Sequence, residues 1–221
     1  MKTSTRILLF AGGNLGDWAL QLIREDDLLV GVDRGAWFLV ENGLAPHLSI
    51  GDFDSVTTEE KEKIEARSRQ FVSCDPERKD LTDTEMAMNW ALQQNPREIL
   101  LLGVLGTRFD HTLANVHLLV KGLAAGIPCR ILDPCNEIIL VPERLTVTQD
   151  GFDQLSLLPL TPEVTGITLQ GFLYPLENAT LRIGDTLGIS NVLTAPSGSI
   201  SLRTGLLLVI KSKDEPAQAS G

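Results

Sequence analysis

The chain has 221 residues, 43% hydrophobic and 22% charged, enough apolar content for a sizeable core in one large domain or two smaller ones. Its formal net charge of −10 excludes broad electrostatic affinity for nucleic acid or an anionic membrane surface, both of which demand basic residues. The apolar run from Ile7 to Phe10 is far too short to span a bilayer and leads into Gly12-Gly13-Asn14 instead of a cleavage-type site, so a cytoplasmic location is expected.

Over the first two thirds, short apolar runs alternate with helical patterns. Strands are expected at 6–11, 28–32, 48–50, 71–74, 99–105 and 130–132. Between them, Thr57 with Glu60 and Thr82 with Glu85 read as capping boxes, Gly43 and Gly126 as helix stops, and Pro96 as a terminator. Such alternation implies an α/β unit, a mostly parallel sheet with helices on both faces. After about Pro142 the helical patterns cease, and runs at 145–148, 154–158, 166–169, 179–183, 199–202 and 206–210 are punctuated by Gly, Pro, Asn and Asp. A smaller antiparallel β-sandwich domain is expected there, giving domains at 1–143 and 144–212 and a loose tail at 213–221. Cys74, Cys129 and Cys135 form neither a zinc spacing nor an even disulfide set and read as reduced thiols.

Acidic residues gather where expected strands end, which is where open parallel sheets collect functional side chains. Asp33 follows the second strand and precedes a helix, so it either caps that helix or projects from the sheet edge. In Gly51-Asp52-Phe53-Asp54-Ser55, extended backbone sends Asp52 and Asp54 to one face, suited to a shared cation, and turns Phe53 the other way as an anchor; an acidic turn is the plainer alternative. In Lys79-Asp80-Leu81-Thr82-Asp83, Thr82 reads as a helix N-cap and Asp83 as a first-turn acid favoured by the macrodipole. Asp80 has no comparable local explanation, and Lys79 can meet a phosphate as a point charge. Arg108, in Gly106-Thr107-Arg108-Phe109-Asp110-His111, can clamp phosphate oxygens, while Asp110 and His111 either cap the next helix or face a ligand. The loop Gly12-Gly13-Asn14-Leu15-Gly16 either offers N–H groups to phosphates or makes a tight turn. Hard carboxylate oxygens in this number suit Mg²⁺ bound together with substrate phosphates.

Taken in order, Val32-Asp33-Arg34-Gly35-Ala36, Gly51-Asp52-Phe53-Asp54-Ser55, Lys79-Asp80-Leu81-Thr82-Asp83-Thr84-Glu85, Gly106-Thr107-Arg108-Phe109-Asp110-His111 and Leu113-Ala114-Asn115 resemble the bacterial thiamine pyrophosphokinases. Gly171-Phe172-Leu173-Tyr174-Pro175-Leu176 and Gly188-Ile189-Ser190-Asn191 extend the resemblance over nearly the whole chain. The resemblance implies transfer of the diphosphoryl group of ATP to the hydroxyl of thiamine, with Mg²⁺, by a homodimer whose thiamine site lies between subunits. It further implies catalytic roles for Asp52, Asp54, Asp80 and Asp83, with Asp52, Asp54 and Asp80 on the metal. ATP contacts are implied for Asn14, Asp33, Lys79, Arg108, Asp110 and His111, and thiamine contacts from the partner subunit for Ser190 and Asn191. Leu105 and Thr107 stand where the family often has Thr and Gly, and Val192 where it often has Glu. The alternatives are a diphosphokinase for another hydroxymethyl acceptor such as a pterin, and a non-catalytic thiamine- or nucleotide-binding module.

Overall fold

β1 (Arg6–Phe10) is buried at every position, the pattern of a strand covered on both faces. The computed structural model describes residues 5–74, 80–141 and 143–214. Two compact units divide the chain, Met1–Asp133 and Pro134–Gly221.

In the first unit β1 is joined by β2 (Leu28–Val32), β3 (Leu48–Gly51), β4 (Phe71–Ser73), β5 (Glu98–Leu102) and β6 (Cys129–Leu132), all parallel, in the order β4-β3-β2-β1-β5-β6. Successive strands step away from β1 on one side as far as β4, and β5 then returns to its other side. The strand order therefore reverses between β1 and β5, where carboxyl-end loops diverge and leave a crevice. The crossovers are α1 (Asp17–Leu20), α2 (Arg34–Glu41), α3 (Thr58–Arg67), α4 (Asp83–Gln93) and α5 (Phe109–Ala124). Leu8 and Phe10 pack with Ala19 and Leu39 from α1 and α2, while Ile7 and Leu9 point to the other face and are equally buried. α4 lies along β1, β2 and β3.

Local signals act as the sequence implies, with one exception. Thr57 and Glu60 form a reciprocal capping box at α3. Thr82 caps α4 by accepting from Glu85 N at 3.2 Å, but the Glu85 carboxylate turns to Lys121 at 2.8 Å, so half of the expected box is replaced by an ion pair between α4 and α5. Gly43 and Gly126 follow α2 and α5 at φ of 78° and 65°, where glycine is unstrained.

The second unit begins before the compositional change. β7 (Asn136–Val141) pairs antiparallel with β13 (Leu207–Ser212), which also pairs with β9 (Gln154–Pro159). A second sheet has the order β11 (Leu176–Arg182), β10 (Glu163–Gln170), β12 (Ser197–Ser201), β8 (Arg144–Thr148). Val141, Leu157 and Val209 from one sheet meet Ile167, Leu181 and Ile200 from the other in one core, which makes the expected antiparallel sandwich. The division thus falls at 133/134 and not at 143/144, because β7 is bonded along its length to β13. Of the expected tail, Lys213 donates its N–H to Cys135 O at 3.0 Å, Asp214 is exposed, and 215–221 lie outside the described residues. None of the three cysteines is in a disulfide, and burial pushes the Cys129 thiol up to about 12, where it is inert. No helix among the described residues is long and apolar enough to cross a membrane.

Two polar ties, one buried and one half-buried, hold the start of the parallel sheet. Arg6 bonds Asp27 through Nε at 2.8 Å and Nη2 at 2.6 Å, and Nη2 also reaches Leu22 O. Both residues are almost fully buried. Arg6→Met, which strands the Asp27 charge, is expected to cost about 3–5 kcal/mol in urea denaturation. Adding Asp27→Leu should recover more than half of that loss; an undiminished double-mutant cost would contradict a stranded charge as its cause. His47 is the second tie, donating its N–H to Leu29 O and accepting from Leu29 N at Nδ1. Burial, then the nearby Arg69, lowers its pKa below the ordinary 6.5, so below that pH the unfolded chain takes up a proton that the folded one resists. This contribution is complete above 6.5 and is lost as pH falls towards the folded value. His47→Asn, which keeps an acceptor but does not titrate, is expected to flatten the fall in stability as pH drops below 6.5.

Candidate active site

The crevice at the strand-order reversal is a cleft of about 340 Å³. Its lip is built from the ends of β1, β2, β3 and β5 and the starts of α4 and α5. Gly13 N donates to Gly103 O at 2.7 Å, and a Cβ on Gly13 would lie 2.4 Å from that oxygen. Only glycine lets the loops after β1 and β5 touch this closely.

Asp33 stands at the head of α2 yet makes no side-chain capping bond. Its φ of 49° is uncommon outside glycine and turns the carboxylate across the sheet edge, where Oδ1 accepts from Phe53 N at 3.1 Å. A Cβ at Gly51 would lie 1.8 Å from that Oδ1, so the carboxylate rests directly on the end of β3. The backbone strain costs on the order of 1–3 kcal/mol. A hydrogen bond to a charged acceptor contributes about 1.5–3 kcal/mol. The conformation is therefore held close to balance by its own contact.

This placement brings one carboxylate oxygen each from Asp33, Asp52 and Asp83 within 4.8 Å of one another. Ionised together, they repel by roughly 1–3.5 kcal/mol per pair, between the dielectric of water and that of a protein surface. Three half-buried hard oxygens at this spacing fit a divalent cation that takes a few carboxylates and fills its shell with water and phosphate. The expected trio Asp52, Asp54 and Asp80 differs in two members. Asp54 lines the cleft but is exposed, and its N–H donates to Asp52 Oδ1 at 3.2 Å. Phe53 has φ of 59°, so the extended backbone on which a face shared by Asp52 and Asp54 depended is a turn. Phe53 is nevertheless the expected anchor, 3% exposed and stacked on Phe71 at 4.8 Å. Asp80 is exposed and is not among the lining residues, and Lys79 lies outside the described residues.

On the opposite lip, Arg108 and His111 line the cleft. Arg108 is the N-cap of α5 without a capping bond and reaches Asp110 at 2.7 Å. The guanidinium holds the Asp110 carboxyl below its ordinary range, and Asp110 in turn raises Arg108. Both are exposed, and Asp110 and Asn14 do not line the cleft. Thr112 and Asn115, to which sequence reasoning gave no role, do line it. Thr112 Oγ1 accepts from Gly106 N at 3.2 Å, and Asn115 Nδ2 donates to Val104 O at 2.8 Å, so both fasten the loop after β5 to α5. Their helical spacing from Arg108 was the available signal.

In the second unit Asn191 is buried. Its Oδ1 accepts from Tyr174 N and Val192 N, and its Nδ2 donates to Tyr174 O at 2.7 Å. Ser190 is exposed at φ of 58°, its N–H bonded to Ser156 Oγ.

Family profiles match both units: "Thiamin pyrophosphokinase, catalytic domain" over residues 19–131 and "Thiamin pyrophosphokinase, vitamin B1 binding domain" over 142–207. The chain belongs to the thiamine pyrophosphokinase family. It is 37% identical to the thiamine pyrophosphokinase of Bacillus subtilis over 86% of this chain and 89% of that relative. The crystal structure of thiamine pyrophosphokinase from Bacillus subtilis superposes with a TM-score of 0.87 at 34% identity, covering 96% of this chain and 100% of that one. That from Geobacillus thermodenitrificans gives 0.85 at 37% identity with the same coverage. Membership of the thiamine pyrophosphokinase family agrees with the two-unit architecture, each unit matching one profile.

The contact between Gly51 and Asp33 is sharply testable. Gly51→Ala is expected to destabilise by about 1–3 kcal/mol through overpacking. Gly106→Ala, where an added Cβ meets nothing within 4 Å, is expected to change stability by less than about 0.5 kcal/mol. Equal urea midpoints for the two variants would contradict the close contact.

Proposed function

We propose that the first unit binds ATP and transfers its β,γ-diphosphoryl group to the hydroxyl of thiamine, giving thiamine diphosphate and AMP. The observation that carries this is the convergence of Asp33, Asp52 and Asp83, of which Asp33 and Asp83 line a cleft that Arg108 and His111 also line. In such transfers positioning and electrostatics supply nearly all the catalysis. The thiamine oxygen attacks the β phosphorus as the bond from that phosphorus to the α-phosphate bridging oxygen breaks, so AMP leaves with the bond electrons. The hydroxyl proton passes to a carboxylate.

Asp33, Asp52 and Asp83 would hold Mg²⁺, directly or through water, and the ion would supply positive charge to offset that on the phosphoryl oxygens. Asp54, on the same lip and outside the trio, orients the thiamine hydroxyl and accepts its proton. Arg108 meets the phosphates from the other lip, exchanging its exposed pairing with Asp110 for a fork on phosphate oxygens, since such a surface pair is worth little. His111 contacts the nucleotide beside it. The second unit binds thiamine in a homodimer: Ser190 and Tyr174 face the ligand from the partner subunit, while Asn191 acts by holding their loop, its amide already committed to Tyr174. Exposed Leu173, Tyr174, Leu187 and Ile189 supply apolar surface for that assembly.

The test is protein with ATP, Mg²⁺ and thiamine, analysed for AMP and thiamine diphosphate, against the same mixture lacking thiamine. Single Asn replacements of Asp33, Asp52 or Asp83 are expected to lower turnover at least about 100-fold and to raise the Mg²⁺ concentration required. Asp54→Asn should lower turnover without altering the Mg²⁺ requirement, and Asp80→Asn should keep most of the activity. Near-normal turnover in all three trio variants would overturn the assignment.

A further inference from the structure

Asn115 is only 8% exposed, one of few buried polar side chains in the first unit. Its Nδ2 donates to Val104 O at 2.8 Å. A carbonyl only accepts, so chemistry fixes which end of this amide is which. Oδ1 must then point away from Val104, and it has no hydrogen-bond partner among the described residues. Among the described residues no side-chain N or O atom that is shut off from solvent lacks a partner, so Oδ1 is open to solvent, and the space that Asn115 lines is the cleft.

We infer that Asn115 is a specificity-determining residue whose Oδ1 accepts a hydrogen bond from a donor on the nucleoside part of the nucleotide, an exocyclic amine or a ribose hydroxyl. This rests on the proposed use of a nucleotide in the cleft. A fixed acceptor repels phosphate oxygens, which carry only lone pairs, and attracts N–H or O–H. Asn115 also lies two turns along α5 from Arg108, about 10 Å at the helical rise, on the same helix face. Asn115 is bonded to Val104, which with the neighbouring Gly103 brings backbone and apolar atoms to the cleft instead of the charges of the lips. Phosphates therefore belong at Arg108 and the carboxylates, and the nucleoside belongs at Asn115. A purine with a 6-oxo group would set two acceptors against each other, because the bond to Val104 O prevents the amide from flipping.

The experiment compares ATP with inosine triphosphate, 2′-deoxy-ATP and 3′-deoxy-ATP, by equilibrium binding without thiamine and by kcat/KM with it, in the unaltered protein and in Asn115→Ala. One analogue, the one lacking the recognised donor, is expected to bind about 3- to 10-fold more weakly to the unaltered protein, the worth of one such hydrogen bond. In Asn115→Ala that penalty should fall to about 1-fold, with any residual loss shared equally by all four nucleotides. Inosine triphosphate as the affected analogue identifies the amine; either deoxy analogue identifies its hydroxyl. No discrimination in the unaltered protein, discrimination that survives in Asn115→Ala, or an effect confined to the KM for thiamine would overturn the inference. A protein that discriminates among the analogues but forms no thiamine diphosphate would instead defeat the proposed transfer and leave this inference standing.

Discussion

The Asp33 carboxylate lies on Gly51 with no room for a Cβ between them, and the geometry of the acidic side of the cleft follows from that contact. Three carboxylates do not gather without compensation. Here the left-handed turn at Asp33, the bond from Phe53 N and the packing of Phe53 on Phe71 fix Asp33 over the end of β3 before any ligand arrives. Asp52 follows Gly51 directly, and Asp83 is delivered by the first turn of α4, where the macrodipole favours an acid. The strain at Asp33 and Phe53 sits at the candidate cation site, where the surrounding structure over-determines an unfavourable backbone.

The opposite lip is organised by a different device. Thr112 and Asn115, one helical turn apart on α5, each hold a backbone atom of the loop after β5. Between those two bonds the loop is open at Gly106, where an added Cβ would meet nothing within 4 Å. The cleft thus sets carboxylates at strand ends, with Arg34 beside Asp33, against Arg108 and His111 at a helix start. Such an arrangement suits a polyphosphate bridged by a divalent ion more than a neutral ligand.

Much of this was legible in the chain. Unbroken apolar runs marked the parallel strands because both faces of such strands are covered, and the loss of helical period marked the sandwich. Acidic motifs at strand ends located the cleft. Assigning each carboxylate was harder, because the distinction depends on backbone angles that residue type does not reveal. Asp33 reads equally well as a helix cap, and only its φ of 49° shows that its side chain turns towards Asp52. Asp52 and Asp54 share a face only on extended backbone, which Phe53 interrupts. β7 was missed because Ile138 to Val141 abuts the compositional change at Pro142, whereas its pairing with β13 is a contact across some seventy residues that local pattern cannot express. The resemblance implies a thiamine contact for Asn191, whereas its buried amide is committed to the backbone of Tyr174, a pairing across seventeen residues that local pattern does not show.

The most direct measurement is the anomalous scattering of Mn²⁺, a Mg²⁺ substitute, in crystals of the protein grown with a non-hydrolysable ATP analogue. A peak bounded by the carboxylates of Asp33, Asp52 and Asp83 and touching the analogue's phosphates is the predicted result. A peak at Asp80 or elsewhere, or none at saturating Mn²⁺, would contradict the cation site on which the proposed chemistry depends.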